Sequence, residues 1–329
     1  MTGEYSENSH GSKLRGRSRL STCGVGLPAA PLLALLLLAF QYSTPAFAQE
    51  GSAAELGRKL SDPLSNVWAL FTEIDFTWSE GDYTNGKLRH GQSVVFQPIM
   101  PLSLTENINL TLRPTIPVVR TDIPVGRRYN TVPINAETEI VFPDGSAAFN
   151  DHSGIGDFTL PMLFFPHHKE PRRWGFGAGP TFIFPTATKD ELGTETWQAG
   201  AGGVVTYKGE KFSTGVFGSY WWDYAKSDND AEGTSHGSLL YWYWYSLPDT
   251  WQIGLGPTIT YNDKAPSDNK WNVPVGLSVA KMVMFGKLPV KFQLGFEKSI
   301  VRQEDYGKDW TLKLNIIPVI PSLQKKPFF

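Results

Sequence analysis

Charged and amide side chains recur at alternate positions in several stretches whose other positions are apolar. These polar residues are Glu73, Asp75, Gln97, Arg113, Gln198, Gln252, Lys291, Gln293, Glu297 and Lys313. On the inner face of a closed sheet, they would select small solutes by charge and hydrogen bonding. The same mixture of acids and bases would equally fill a narrow interior with mutually paired charges. Both interpretations stay open at this stage.

Histidines close to serines are candidates for a lipid-acting hydrolase. The pairs are His90 with Ser93, His152 with Ser153, and His236 with Ser238. Closeness in sequence does not make a catalytic triad, and each pair lies at the edge of a predicted loop. His167 and His168 are adjacent, and no further ligand accompanies them as a metal site requires. We therefore predict no catalytic residue, no metal and no cofactor.

The first 48 residues are typical of a secretion signal. Basic residues precede a short apolar run at 31–40, and Ala46–Ala48 supplies small residues for cleavage after Ala48. The apolar run is too short for a comfortable transmembrane helix. We predict export through the Sec pathway, a lead-in at residues 49–66 and a barrel at residues 67–329. The lead-in is expected to be a periplasmic tether or a small plug.

The composition of the mature chain excludes several classes of function. The single cysteine, Cys23, lies in the predicted signal, which leaves no thiol for disulfides, catalysis or metal binding. The formal charge of the mature chain is about −5, too close to neutral to indicate nucleic acid as a partner.

The elements that would position these side chains are strands. Segments of alternating character recur from Val67 to Val319, and we count about twelve. Three tight turns alternate with longer polar connections, as in outer-membrane barrels. The segment 121–153 breaks the alternation and is predicted to be one extended loop. The predicted fold is all-β, an antiparallel transmembrane β-barrel with short periplasmic turns and longer extracellular loops.

Aromatic residues near the strand ends fit the two girdles at membrane interfaces. They are Trp68, Trp78, Trp174, Trp197, Tyr220, Trp251, Tyr261, Trp271 and Trp310. Lys281 and Lys298 fall on the predicted lipid face, where a cation is costly. Lys281 lies near a turn and can extend toward water. For Lys298 we expect a bulge that shifts the end of its strand.

Several segments resemble a family of bacterial outer-membrane proteins, the MetA-pathway phenol-degradation group, often labelled "neuromedin U". The matching segments are Asp62–Ser65, Gly154–Asp157, Trp174–Pro180, Phe184–Thr188 and Asn269–Gly276. The resemblance implies a porin-like barrel with a role in transport, and it supplies neither a substrate nor a catalytic residue.

The sequence thus predicts a channel or transporter in the outer membrane of a Gram-negative bacterium. It would pass small, aromatic or weakly polar molecules and would not be an enzyme. The alternatives are a lipid-acting hydrolase and a closed structural barrel. The expected partners are outer-membrane lipids, lipopolysaccharide, the barrel assembly machinery and a small solute.

Overall fold

The computed structural model describes residues 47–125, 146–167, 172–228, 231–320, 322–324 and 327–328. In these ranges it contains one α-helix, α1 (Phe47–Leu60), and short 3-10 helices at Asp82–Thr84, Asp190–Leu192 and Ser267–Asn269. Within these ranges, no helix has the length and apolar character to cross a membrane. The strands are β1 (Ala69–Glu80), β2 (Arg89–Ser103), β3 (Ile108–Leu112), β4 (Ile116–Pro124), β5 (Phe149–Ile155), β6 (Phe158–Pro166), β7 (Trp174–Phe184), β8 (Thr196–Lys208), β9 (Phe212–Lys226), β10 (Ser235–Ser246), β11 (Trp251–Leu255), β12 (Thr258–Asn262), β13 (Trp271–Phe285), β14 (Leu288–Val301) and β15 (Gly307–Pro318).

These strands form one antiparallel sheet that closes on itself. β1 pairs with β2 on one side and with β15 on the other, so the first and last strands are neighbours. β3 and β4 both pair with β2. On their other side, β3 pairs with β6 and β4 pairs with β5. In the same way, β11 and β12 both pair with β10. β3 with β4, β5 with β6, and β11 with β12 each make one interrupted strand, which gives twelve strands in all. The predicted all-β, antiparallel barrel of twelve strands is confirmed.

The three interruptions were not predicted from the sequence, and two of them contain a proline. β3 and β4 flank Pro114, and β11 and β12 flank Pro257. A proline has no N–H to donate to the ladder, so the pairing stops there. Near the second break, the Tyr241 hydroxyl donates to the carbonyl oxygen of Pro274 at 2.8 Å.

The two ends of the barrel differ in their connections. The end that carries the tight turns after Lys208, Ser246 and Phe285 is called the turn end, and the opposite end the loop end. At the loop end, the expectation of one extended loop over 121–153 was wrong in part. β4 continues to Pro124 and pairs with β5, which begins at Phe149, and residues 126–145 lie outside the described ranges.

The outer face carries most of the aromatic residues proposed for the interfaces. Trp174 is 54% exposed, Trp271 is 46% exposed and Trp197 is 38% exposed. The others are half-buried against neighbours on the same face. These are Trp78 and Trp310, which pair directly, Tyr261 beside Trp271, Trp251 opposite Lys281, and Tyr220 beside Trp222.

Trp68 departs from this pattern. The residue is only 7% exposed, so it cannot belong to an outward-facing girdle as the sequence predicted. It precedes β1, and its carbonyl oxygen accepts a hydrogen bond from Ile320 N (3.0 Å) in the segment after β15. The start of the barrel and the end of the chain therefore meet at Trp68, a contact that strand alternation alone does not reveal.

The two lysines of the outer face are both stacked on tryptophans. Lys281 Nζ lies 4.8 Å above the ring of Trp251, and Lys298 Nζ lies 4.4 Å above the ring of Trp310. The expected bulge is present at the end of β14, where Val273 pairs with Val301 and Pro274 with Ser299, but Lys298 itself stays in register with Val275. A second bulge lies in β15, where Asp309 is left without a partner in β1 and forms an ion pair with Lys298. This second bulge supplies a counter-charge.

Replacing Gly200 by alanine is expected to destabilise the barrel by about 1–3 kcal/mol, through overpacking. A Cβ atom at Gly200 would lie 1.8 Å from the carbonyl oxygen of Tyr220 on β9. Gly203→Ala, three residues along β8, is the matched control because its nearest neighbouring atom would be 4.0 Å away. The measurement is the urea midpoint of refolded protein in detergent, scored by the heat-dependent gel shift of folded barrels. Equal midpoints for the two variants would contradict the packing argument.

Candidate functional site

The interior of the barrel is divided into two halves. Toward the turn end, the inward side chains are apolar and closely packed. They are Leu64, Leu163, Phe165, Val204, Trp242, Trp244 and Ala280. Toward the loop end lies a cavity of about 510 Å³. Most of its lining residues are of polar type, and the lining reaches Lys264 and Gln303 in the loops. The alternation of the strands predicted polar inward positions, and it did not predict that half of the interior is an apolar core.

The lead-in closes the turn end. Lys291 Nζ donates to Ser61 Oγ at 2.8 Å and lies 4.8 Å above the ring of Trp244. Asp62 forms an ion pair with Lys208 at the end of β8. Leu64 fits against β7, where Gly177 leaves the space that a side chain would otherwise occupy. We call the lead-in, residues 49–66, the plug, because Ser61, Asp62 and Leu64 contact barrel residues at the turn end.

Gln252 also contacts the plug. The Ser61 hydroxyl lies 3.5 Å from Gln252 Oε1, and Gln252 is only 5% exposed. The structure thus places Gln252 and Lys291 at the base of the interior, against the lead-in. Neither residue lines the cavity.

Three carboxylates and one lysine form a cluster on the wall made by β1, β14 and β15. Lys313 Nζ lies 3.2 Å from Glu297 Oε1 and 3.9 Å from Glu73 Oε1. Asp75 faces the same cavity. The Asn315 amide donates to Glu73 Oε2 (3.2 Å) and accepts from Gln293 Nε2 (3.2 Å). Five of the ten predicted polar positions are therefore brought together here.

Arg113 and Gln97 make a separate pair. Both Nε and Nη2 of Arg113 donate to Gln97 Oε1, at 3.1 and 2.6 Å. Gln97 Nε2 donates in turn to Thr115 Oγ1 at 2.6 Å. Arg113 is 9% exposed, and within the described ranges no carboxylate lies within 4 Å of it. A buried guanidinium held by a neutral amide is costly, and the break between β3 and β4 positions it.

The last predicted position, Gln198, belongs to a network on β7 to β10. Gln198 Oε1 lies 2.7 Å from His236 Nε2, and Gln198 Nε2 donates to Thr194 Oγ1 (2.9 Å). The His236 ring stacks on Trp221 at 5.3 Å. Trp221 Nε1 donates to Thr181 Oγ1 at 3.0 Å. This network lines the cavity opposite the carboxylate cluster.

A segment between β7 and β8 folds into the barrel, and Asp157 fixes it there. Asp157 Oδ2 accepts from the backbone N and the hydroxyl of Thr194, at 2.8 and 2.9 Å, and Oδ1 accepts from Ala187 N at 3.2 Å. Leu192, 3% exposed, packs against Val119 and Ile123 of β4. We call residues 186–195 the inward segment.

Tyr306, in the loop before β15, is a further titratable group of the cavity. The Tyr306 hydroxyl donates to the carbonyl oxygen of Asp122 at 3.0 Å. Burial raises the pKa of Tyr306 to about 12, so its hydroxyl stays protonated at neutral pH.

A family model described as "Putative MetA-pathway of phenol degradation" matches residues 71–299, about two thirds of the chain. The chain belongs to this family. The match begins in β1 and ends in β14, so it spans almost the whole barrel. It does not support the label "neuromedin U". No curated protein sequence matches the chain.

Solved structures of outer-membrane barrels are similar to this member of the family. An outer membrane channel from Pseudomonas putida F1 is 19% identical, covering 77% of this chain and 96% of that one, with a TM-score of 0.49. The NanC porin is 8% identical, covering 76% and 99%, with a TM-score of 0.41. A Pseudomonas aeruginosa FadL homologue is 8% identical, covering 82% and 93%, with a TM-score of 0.36. We take no function from these low identities.

The described histidines of this family member contact partners other than the serines near them in sequence. His90 stands edge-on to Trp78, with 6.0 Å between ring centroids, and His152 Nδ1 lies 3.5 Å from Glu191. His236 is held by Gln198, and His167 Nδ1 lies 3.1 Å from the Asn109 amide. His168 lies outside the described residues. Where the chain is described, no group of three His, Cys, Asp or Glu residues could hold a metal.

Sequence reasoning missed the role of Asp157 and of the threonines near it. Thr188 Oγ1 accepts from Ile155 N (3.0 Å), and Thr186 Oγ1 accepts from Phe158 N (2.9 Å), so these hydroxyls bridge the break between β5 and β6. Two of the segments that carried the family resemblance, Gly154–Asp157 and Phe184–Thr188, thus form one unit. The presence of both segments in one sequence was the signal from which their contact could have been inferred.

Replacing Asp157 by alanine should release the inward segment, because three hydrogen bonds to a carboxylate are lost together. At roughly 1.5 kcal/mol for each charge-assisted bond, the loss of even one bond should accelerate amide exchange in residues 186–195 about tenfold, and the loss of all three should accelerate it further. Hydrogen–deuterium exchange of the refolded protein measures this. Asp151→Ala is the control, since the only side-chain partner of Asp151 among the described residues is Arg120, in an exposed ion pair. Unchanged exchange in Asp157→Ala would contradict the assigned role.

Proposed function

We propose that the protein is an outer-membrane channel for the passive passage of small, aromatic or weakly polar molecules. The observation that carries this proposal is the division of the interior. A cavity of about 510 Å³ reaches the loop end, and a segment that is not part of the wall closes the turn end. Volumes of this order accommodate small organic molecules.

The plug is held to the barrel through side chains, which supports a closure that can open. Among the described residues, its polar links to the barrel are Lys291 and Gln252 to Ser61, Lys208 to Asp62, Asn109 to Asn66, and Arg58 Nη1 to the Glu210 carbonyl (3.0 Å). None of them is a rung of the sheet. The lead-in can therefore leave without breaking a ladder hydrogen bond of the wall.

The lining of the cavity supports cargo of mixed polarity. Threonines and serines of several strands alternate there with Val119, Ile123, Ile183 and Leu192. A strongly hydrated ion would gain little from the apolar side chains. A molecule with an apolar body and one or two hydrogen-bonding groups would use both kinds of surface.

The outer face supports placement in the outer membrane. It carries exposed apolar residues such as Phe176 (56%) and Leu277 (59%), with Trp174 and Trp271 near the strand ends. We propose outer-membrane lipids and lipopolysaccharide as its surroundings, and the barrel assembly machinery as its route of insertion. The turn end, which carries the lead-in, would face the periplasm.

Single-channel conductance of the refolded protein in planar bilayers tests the proposal. Deletion of residues 49–66 should give frequent discrete conductance steps, because it removes the plug, whereas the wild-type mature chain should be mostly closed. Lys291→Met should give intermediate opening, since it removes the bond to Ser61 and keeps an apolar stem beside Trp244. Arg113→Ala in the deletion variant should change the step size, because it removes a buried charge from the interior.

Glu55→Ala is the matched control within the lead-in, because the ion-pair partner of Glu55 among the described residues is the exposed Lys59 of the same helix. It should behave as wild type. A deletion variant that folds, by its heat-dependent gel shift, yet stays silent and passes no small solute would overturn the proposal in favour of a closed structural barrel.

A further inference from the structure

We propose that the cavity binds small amphipathic amines, with the ammonium group at Asp75 and Glu73 and the apolar body against the inward segment. This inference rests on the proposed function only in treating the bound amine as cargo. The binding itself follows from the charges and the surfaces of the cavity.

The strand registers place an acidic residue and an apolar residue on the same face of the sheet, two strands apart. Asp75 of β1 pairs with Ser93 of β2, and Ser93 pairs with Val119 of β4. Directly paired residues share one face of the sheet, with neighbouring strands about 4.8 Å apart. An acidic group and an apolar surface therefore lie about 10 Å apart on one rung of the wall. That separation suits a molecule with a charged end and a short apolar body.

The charge of the cluster is not balanced. Glu297 and Glu73 both lie within 4 Å of Lys313, which leaves Asp75 without a salt bridge in the described part of the chain. Asp75 Oδ1 is buried and has no hydrogen-bond donor among the described residues. Burying a carboxylate without a partner is costly, so a cation that reached it would be stabilised.

The other carboxylates of the cavity have partners of their own. Asp157 accepts three hydrogen bonds from the inward segment. Asp122 Oδ2 lies 3.4 Å from Arg89 Nη1. The lining as a whole contains five carboxylates and three lysines, an excess of negative charge that favours a cationic ligand. Asp75 is the position at which that excess is uncompensated.

The apolar half of the ligand site is provided by the inward segment. Leu192 packs with Val119 and Ile123, and all three line the same cavity as Asp75. Tyr306 and Trp221 add aromatic surface to the lining. A bare metal ion would leave these surfaces unused, and a neutral molecule would leave Asp75 uncompensated. A primary amine on a short aromatic or aliphatic body satisfies both.

Isothermal titration of the full mature protein in detergent, at pH 7, tests the proposal with three matched probes. They are 2-phenylethylamine, 2-phenylethanol and phenylacetate, which differ in the charge of the polar end. The amine should bind about tenfold or more tightly than the alcohol, as one charge-assisted hydrogen bond provides. Phenylacetate should bind most weakly.

The variants assign the preference to the cluster. Asp75→Asn should remove the preference for the amine and leave the affinity for the alcohol unchanged, and Glu73→Gln should reduce the preference. Lys313→Gln should strengthen amine binding, because it leaves Glu73 and Glu297 without their cation. A loss of stability alone would not raise the affinity for the amine, so this gain distinguishes an electrostatic effect from damage to the fold. Asp151→Asn, outside the cavity, should match wild type.

Equal affinities for the three probes in wild type would overturn the amine proposal, as would a preference that survives Asp75→Asn and Glu73→Gln. Vesicle swelling with the deletion variant separates this outcome from failure of the channel. If the alcohol passes but the amine is not preferred, the channel stands and the amine proposal is wrong. If the amine binds selectively but neither probe passes, the binding stands and the channel is wrong.

Discussion

Closure of the backbone hydrogen-bond ladder is the constraint on which the rest of this structure depends. Because β1 pairs with β15, the sheet has no free edge, and every residue is assigned to the inside or the outside. A ladder can be interrupted only where other groups take over its hydrogen bonds. Thr186, Thr188 and the Tyr241 hydroxyl do so beside the breaks in β5–β6 and β11–β12. These hydroxyls thus have a structural role, because they satisfy backbone groups of the wall where the ladder is broken.

The interior then has to accommodate charges in a small volume. Lys313 is balanced by two carboxylates, whereas Lys291 and Arg113 are met by a hydroxyl, an indole ring and an amide. Full pairing would make the interior a closed structural network. The charges of the cluster at Lys313 are not fully paired, since Asp75 has no salt bridge among the described residues and faces the cavity. The balance between paired and unpaired groups is what separates a packed barrel from one that can take a ligand.

The sequence predicted the strands and their number because the alternation of apolar and polar residues can be recognised within each strand separately. It could not predict what lies opposite a given residue, which depends on register and on contacts distant in sequence. The counter-charge of Lys298 comes from a bulge at Asp309, and the burial of Trp68 comes from the end of the chain. The apolar half of the interior could not be predicted from the sequence for a related reason. Trp242 and Trp244 follow the alternation of β10, and only their inward direction distinguishes them from residues of the outer belt.

The position of the plug limits how a channel of this kind could open. Its last residue, Asn66, is followed within three positions by Ala69, the first residue of β1, and the intervening Trp68 is held through its backbone by Ile320. The lead-in cannot diffuse away, so any opening has to pivot near Asn66 and Val67. A segment tethered this closely has a high effective concentration at its own site, and it returns quickly after release. Under the proposed function, this tether and the apolar packing of Ala53, Leu56 and Leu64 against the barrel would favour the closed state. The polar contacts at Ser61 and Asp62 would add to that preference.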